Sequence, residues 1–123
     1  MTYSTGIDLV EIDRIRKGYN RYREKFLERI FSDGEIAILR SRKRGMVASM
    51  AGKFAAKEAV MKALITFFSA GVFLRDIEIL NDANGSPYVK LAQHLAAKIP
   101  GKKIHLSISH ERIFACAVVV ITD

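Results

Sequence analysis

The chain has 123 residues, 50% of them apolar and 27% charged, with a formal net charge of +7. These figures fit one globular domain, residues 1–123, long enough to bury a core without staples. The single cysteine, Cys116, excludes an internal disulfide, and no apolar stretch reaches the ~18–20 residues that span a bilayer.

The charge is uneven. Residues 1–62 hold 14 basic and 8 acidic residues, whereas residues 63–123 hold 6 and 5. The segment Arg14–Arg29 is the densest, with Arg14, Arg16, Lys17, Arg21, Arg23, Lys25 and Arg29 against Glu24 and Glu28. Such an excess points to an anionic partner: a nucleic acid, an acidic membrane, an acidic protein or a phosphate-rich small molecule. Cys116 in the apolar run 113–121 reads as a small packed hydrophobe, which fits a reducing, cytoplasmic setting. The first six residues lack the basic cap and apolar core of a signal peptide and read as part of the domain.

Tyr3–Val10 reads as a strand with Tyr3, Ile7 and Leu9 on one face and Gly6 and Asp8 on the other. A helix is expected from about Asp13, as its cap, with a break or kink at Gly18 and a second run over Tyr19–Ile30. Tyr19, Tyr22 and Phe26, at spacings of three and four, are core candidates there. Ser32-Asp33-Gly34-Glu35 is a capping-box pattern that opens a helix to about Arg42. Met46–Phe68 is the strongest helical run. Its few charges, Lys53, Lys57, Glu58 and Lys62, mark it as mostly buried. Asp76–Leu80 and Tyr88–Leu91 flank a turn at Asn84-Gly85-Ser86-Pro87 and read as a hairpin with a loop longer than two residues. A short helix, Ala92–Lys98, ends at Pro100-Gly101, and strands Lys103–Ser109 and Ile113–Ile121 close the chain. Closely spaced strands late in the chain favour an antiparallel sheet packed on the long helix and shorter helices, an α+β fold.

Four features stand out as chemistry. Asp8 places a carboxylate in an apolar strand. The ordinary explanation, an exposed edge position, is favoured by pattern alone. Glu58 with Lys62 at i+4 reads ordinarily as a surface ion pair, yet this helix has little solvated surface to spare. One carboxylate from a strand and one from a helix suit Mg²⁺, which takes one or two protein carboxylates and fills its octahedron with water and phosphate oxygens. No zinc spacing is present. His105-Leu106-Ser107-Ile108-Ser109-His110 alternates, with Leu106 and Ile108 inward and a polar face that is either half-exposed strand or the lining of a phosphate cleft. Asn84–Pro87 reads first as a hairpin loop, and Gly85 also permits an anion to approach backbone amides. No Walker A or GxGxxG run is present.

Together, Gly6-Ile7-Asp8-Leu9-Val10-Glu11-Ile12-Asp13-Arg14-Ile15, Phe31-Ser32-Asp33-Gly34-Glu35, Phe54-Ala55-Ala56-Lys57-Glu58-Ala59-Val60-Met61-Lys62-Ala63 and Ser107-Ile108-Ser109-His110-Glu111 resemble the holo-[acyl-carrier-protein] synthase family of phosphopantetheinyl transferases. The resemblance covers essentially the whole chain. It implies transfer of 4′-phosphopantetheine from coenzyme A to a serine of apo acyl carrier protein, with release of adenosine 3′,5′-bisphosphate, in support of fatty acid biosynthesis. It implies Mg²⁺ on Asp8 and Glu58, Lys62 near the pyrophosphate, and a homotrimer with interfacial active sites. The resemblance places Asn84, Gly85, Ser86 and Pro87 at coenzyme A, with His105, Ser107 and Ser109. It makes Arg42, Lys43, Arg44 and Lys53 candidates for the 3′-phosphate, and Arg14 and Arg21 part of the docking surface for the acidic carrier. Glu58 is the first candidate for the general base and His110 the second. The chain departs from the family at Ile65-Thr66-Phe67-Phe68-Ser69, where a glycine-containing turn is usual and the next glycine is Gly71. Two other classes compete: a nucleic-acid-binding module, which would want aromatic residues among the basic ones for stacking, and a scaffold that binds an acidic protein without chemistry.

Overall fold

The computed structural model describes residues 1–68 and 71–123. Along the chain run β1 (Thr2–Glu11), α1 (Ile12–Tyr22), α2 (Glu24–Ile30), α3 (Asp33–Arg40), α4 (Met46–Leu64), β2 (Ile77–Asn81), β3 (Pro87–Leu91), α5 (Gln93–Ala96), β4 (Lys103–His110) and β5 (Phe114–Thr122). The expected α+β class holds. β1, β5 and β4 form an antiparallel sheet in that order, and β2 and β3 form a separate hairpin. No helix among the described residues is long and apolar enough to cross a membrane.

The long helix α4 is the centre of the fold. It has no single apolar stripe. Met50, Ala51, Ala55, Ala56, Ala59, Val60, Ala63 and Leu64 are fully buried. A helix apolar on all sides must be covered on all sides, and here the sheet, α3 and the β2–β3 hairpin share that work. Its small residues let backbones approach. A Cβ on Gly6 would lie 1.9 Å from the Ala59 carbonyl oxygen, so β1 crosses α4 at backbone contact and only glycine fits. The Ser4 hydroxyl donates to the Ala63 carbonyl at 2.8 Å one turn further on.

The capping box forms as the spacing predicts: Ser32 Oγ accepts from the Glu35 amide while the Glu35 carboxylate accepts from the Ser32 amide. α3 ends at Arg40, two residues short of the expected Arg42.

The first helices differ from expectation. α1 starts at Ile12, with Glu11 before it and no side-chain cap. Asp13 lies inside the first turn, where its carboxylate pairs with Arg16 and Lys17. The helix passes through Gly18 and breaks at Arg23, which has φ 46°. Gly18 serves packing instead, since a Cβ there would meet the Phe26 ring at 2.5 Å. Tyr19 and Phe26 pack against the core, whereas Tyr22 is exposed, beside Arg21.

The alternation in β1 is real. Gly6, Asp8 and Val10 face α4, while Ile7 and Leu9 stand on the open face, 61% and 62% exposed. In register with them lie Val118 and Cys116 of β5, so Cys116 is half-buried on an uncovered apolar face rather than packed in the core. Beyond the end of α4, residues 65–67 form a turn with Ile65 exposed; Ser69, part of the atypical segment, lies outside the described residues.

Candidate active site

α4 presents different chemistry on its two flanks. Lys53 and Glu58 are five residues apart, which is about 140° around a helix of 3.6 residues per turn.

On the β1 flank, Lys62 Nζ donates to Asp8 Oδ1 at 3.1 Å and to the Ile7 carbonyl at 2.9 Å. Thus Lys62 pairs with Asp8 across the helix–strand contact and not with Glu58 along the helix. The Gly6–Ala59 crossing sets this meeting, because Asp8 follows Gly6 on the same strand face and Glu58 precedes Ala59. Glu58 is half-buried. Its pKa is pushed up first by burial and then by the Asp8 charge, with Lys62 and Arg14 opposing. Two carboxylates in each other's field, beside a cation with 55% of its side chain exposed, make an accessible and electrostatically uneasy group. Arg14, on α1, lies close enough to act on Glu58.

On the other flank is a cleft of about 370 Å³ lined by Arg42, Arg44, Gly45, Ser49, Gly52, Lys53, Asn81, Gly85, Pro87 and His110, among others. Its floor is Ile108 of β4, whose methyl sits 3.1 Å from where a Gly52 Cβ would be. Lys53 is buried, 4% exposed, and burial pushes its pKa down to about 8. Its ammonium donates to the Ile79 carbonyl at 2.6 Å and to Asn81 Oδ1 at 3.2 Å. Beside it, Lys57 pairs with Glu35, both wholly buried. The Glu35 carboxylate also accepts from the Ser32 and Ile79 amides.

The structure therefore brings together Asp8, Glu58 and Lys62, with Arg14 nearby. It groups Arg42, Arg44, Lys53, Gly85, Pro87 and His110 around the cleft. Lys43 is exposed outside the cleft lining, as are Asn84 and Ser86, whose amides bond to Asp82 Oδ1. His105, Ser107 and Ser109 stand on the open face of the sheet, opposite α4, where His105 Nε2 lies 2.8 Å from Thr122 Oγ1. Arg21 is exposed near the end of α1. Asn81 lines the cleft, as do Ser49 and Gly52, without standing out in the sequence; of these, Asn81 alone carried a local signal. Its signal was a polar residue at the last position of an apolar strand, next to a glycine–proline loop.

Comparison with known proteins fixes the family. Residues 4–119 match the profile of the 4′-phosphopantetheinyl transferase superfamily. A holo-[acyl-carrier-protein] synthase of Chlorobium phaeovibrioides is 47% identical over 116 residues, covering 94% of this chain and 91% of the relative. Among solved structures, the holo-[acyl-carrier-protein] synthase of Helicobacter pylori in complex with coenzyme A is similar at a TM-score of 0.83 and 36% identity, covering 96% of this chain and 99% of that one. That of Neisseria meningitidis reaches a TM-score of 0.88 at 31% identity, covering 100% of both. The distribution of carboxylates and cations along α4 thus sits on a full-length match in sequence and in fold, and the chain belongs to the holo-[acyl-carrier-protein] synthases of the 4′-phosphopantetheinyl transferase superfamily.

Proposed function

We propose that this enzyme transfers 4′-phosphopantetheine from coenzyme A to a serine of apo acyl carrier protein in the cytoplasm, supplying holo carrier for fatty acid biosynthesis. The observation that carries this reading is the Asp8–Glu58–Lys62 group, held by a backbone contact between β1 and α4 and still open on one side. In the reaction the serine Oγ–P bond forms and the P–O bond to adenosine 3′,5′-bisphosphate breaks. The serine proton must leave. Glu58 suits its uptake, as a half-buried carboxylate beside Asp8 and Lys62 at the open edge of the group. Lys62 offsets charge on the pyrophosphate.

The residues present fit Mg²⁺. Two carboxylates whose fields oppose each other are relieved by a cation between them, and they leave most coordination positions to water and phosphate oxygens. When bound by Asp8 and Glu58, the ion supplies neutralising charge for the diphosphate.

Arg42, Arg44 and Lys53 make the cleft a seat for the 3′-phosphate and nucleotide of coenzyme A, lined by Gly85, Pro87 and His110. The separation of the flanks bears on assembly. Gly6 of β1 lies under Ala59 and Ile108 of β4 under Gly52, with β5 between them, so the two contacts are about 10 Å apart across the sheet. One α4 thus carries two half-sites. The uncovered face bearing Ile7, Leu9, Phe114 and Val118, with His105, Ser107 and Ser109 beside it, is the surface through which copies of the chain associate, as a homotrimer. A site at the interface then draws carboxylates from one copy and the anion cleft from the next. Arg14 and Arg21 on α1 receive the acidic carrier.

The test is mass spectrometry of a purified apo carrier incubated with enzyme, coenzyme A and Mg²⁺. The carrier gains one phosphopantetheine with the native protein. With Asp8→Ala or Glu58→Ala it stays unmodified while circular dichroism shows the fold intact. Full activity of either variant would overturn the assignment.

A further inference from the structure

The cleft wall contains a hydrogen-bonded chain whose middle member, Asn81, the proposed function does not use. Lys53 Nζ donates to Asn81 Oδ1, and Asn81 Nδ2 donates to the Gly85 carbonyl at 3.0 Å. One side-chain amide thus links a buried cation on α4 to the backbone of the β2–β3 loop. The geometry of the hairpin explains why a tether is needed. Asn81 lies opposite Pro87, which brings no N–H to the last rung. Gly85, at φ 84°, adopts the left-handed backbone that turns the loop. The remaining loop contacts are short-range: Asp82 Oδ1 accepts from the Asn84 and Ser86 amides, the Asp82 amide donates to the Ser86 carbonyl, and the Gly85 amide donates to the Asp82 carbonyl. These shape the loop without tying it to the body of the protein.

An asparagine is the side chain this place demands. Lys53 can only donate and the Gly85 carbonyl can only accept, so the bridge needs an acceptor and a donor in one planar group. Aspartate lacks the donor, and serine lacks the reach. Lys53 has three donors, of which Ile79 and Asn81 take two, and the residue lines the cleft.

We infer that Asn81 is a positioning residue for coenzyme A: by linking Lys53 to Gly85 it holds the loop edge of the nucleotide cleft in place. The inference rests on the reading of this cleft as the coenzyme A site. Its effect falls on binding of the nucleotide end and not on transfer, because the Asp8–Glu58–Lys62 group lies on the other flank of α4.

The experiment is steady-state kinetics of Asn81→Ala, with calorimetric binding of adenosine 3′,5′-bisphosphate alongside. Loss of a tether worth one hydrogen bond raises the KM for coenzyme A and the Kd of the bisphosphate by roughly tenfold. kcat and the KM for the carrier stay within about twofold. Asn81→Ser gives the same split if the alanine protein does not fold. In a Lys53→Met background the alanine substitution adds little, because both act through one chain. An unchanged KM for coenzyme A overturns the inference. So does a parallel loss of kcat and both KM values, or full additivity with Lys53→Met. If the native protein fails to modify the carrier, the functional reading falls. If it succeeds and Asn81→Ala is normal, this inference alone falls.

Discussion

The two lysine–carboxylate pairs beside α4 have the same chemistry and opposite fates. Lys57 and Glu35 are both fully buried, and the Glu35 carboxylate also takes two backbone amides. Burial keeps that pair out of reach of any ligand. Lys62 and Asp8 are 55% and 17% exposed, with Glu58 pressing on Asp8 from the helix. A buried pair braces the fold, whereas an open one with an excess carboxylate has room for a cation and a phosphate. Lys57 and Glu58 are adjacent in sequence, so one step along the helix, about 100°, separates a buried brace from a carboxylate on the open group.

The difference between the flanks can be broken most sharply by mixing subunits. Asp8→Ala lacks the carboxylate half-site, and the Arg42→Ala, Arg44→Ala double variant lacks much of the cleft. Each alone should lose transfer, the first by about 10³-fold or more. Refolded together, they should regain activity under the proposed assembly, in which some interfaces would carry one intact half from each copy. No recovery in a mixed assembly would show that each chain works with its own two flanks.

The next effect is on stability. Lys57→Met leaves the Glu35 carboxylate buried without its cation and should cost about 3–5 kcal/mol in denaturant unfolding. The double variant with Glu35→Gln should recover part of that. The surviving folded protein should keep its kcat, in contrast to Glu58→Ala, which should lose kcat and keep its stability.

The smallest effect is on pH dependence. The Glu58 pKa is raised by burial and by Asp8. Its carboxylate form is therefore lost as pH falls through a range above that of an ordinary glutamate. In the metal-free protein, NMR titration of the Glu58 carboxyl should therefore show it holding its proton to higher pH than a free glutamate, and Asp8→Asn should move that titration down. A Glu58 titration unmoved by Asp8→Asn would show that the two carboxylates do not share a field.

Much of this was legible in the residues. The Ser32–Glu35 box, the apolar length of α4, the Gly85-Ser86-Pro87 turn and the alternating closing strands are local patterns, and each gave its element within a few residues. The first helices depart from their local pattern for a physical reason. Gly18 looks like a break, but Phe26 packs on it and the helix continues, so the break falls at Arg23. Asp8, Glu58 and Lys62 were legible as unusual residues. Their pairing was not, because i+4 spacing suggested Glu58–Lys62 and the fold chose Asp8–Lys62. Asn81 escaped notice because its worth lies in two partners, one 28 residues before it and one in the loop.

By itself the sequence determined the type and order of the elements, the burial of α4 and the family motifs, since capping, periodicity and turn chemistry act over a few residues. Tertiary structure alone decided which face of β1 is covered. Alternation says that Gly6 and Asp8 oppose Ile7 and Leu9, yet the cover comes from Ala59 and Ala63, more than fifty residues away. The same long-range contact decided which carboxylates stay open to a ligand, because accessibility depends on what else the chain brings to that place.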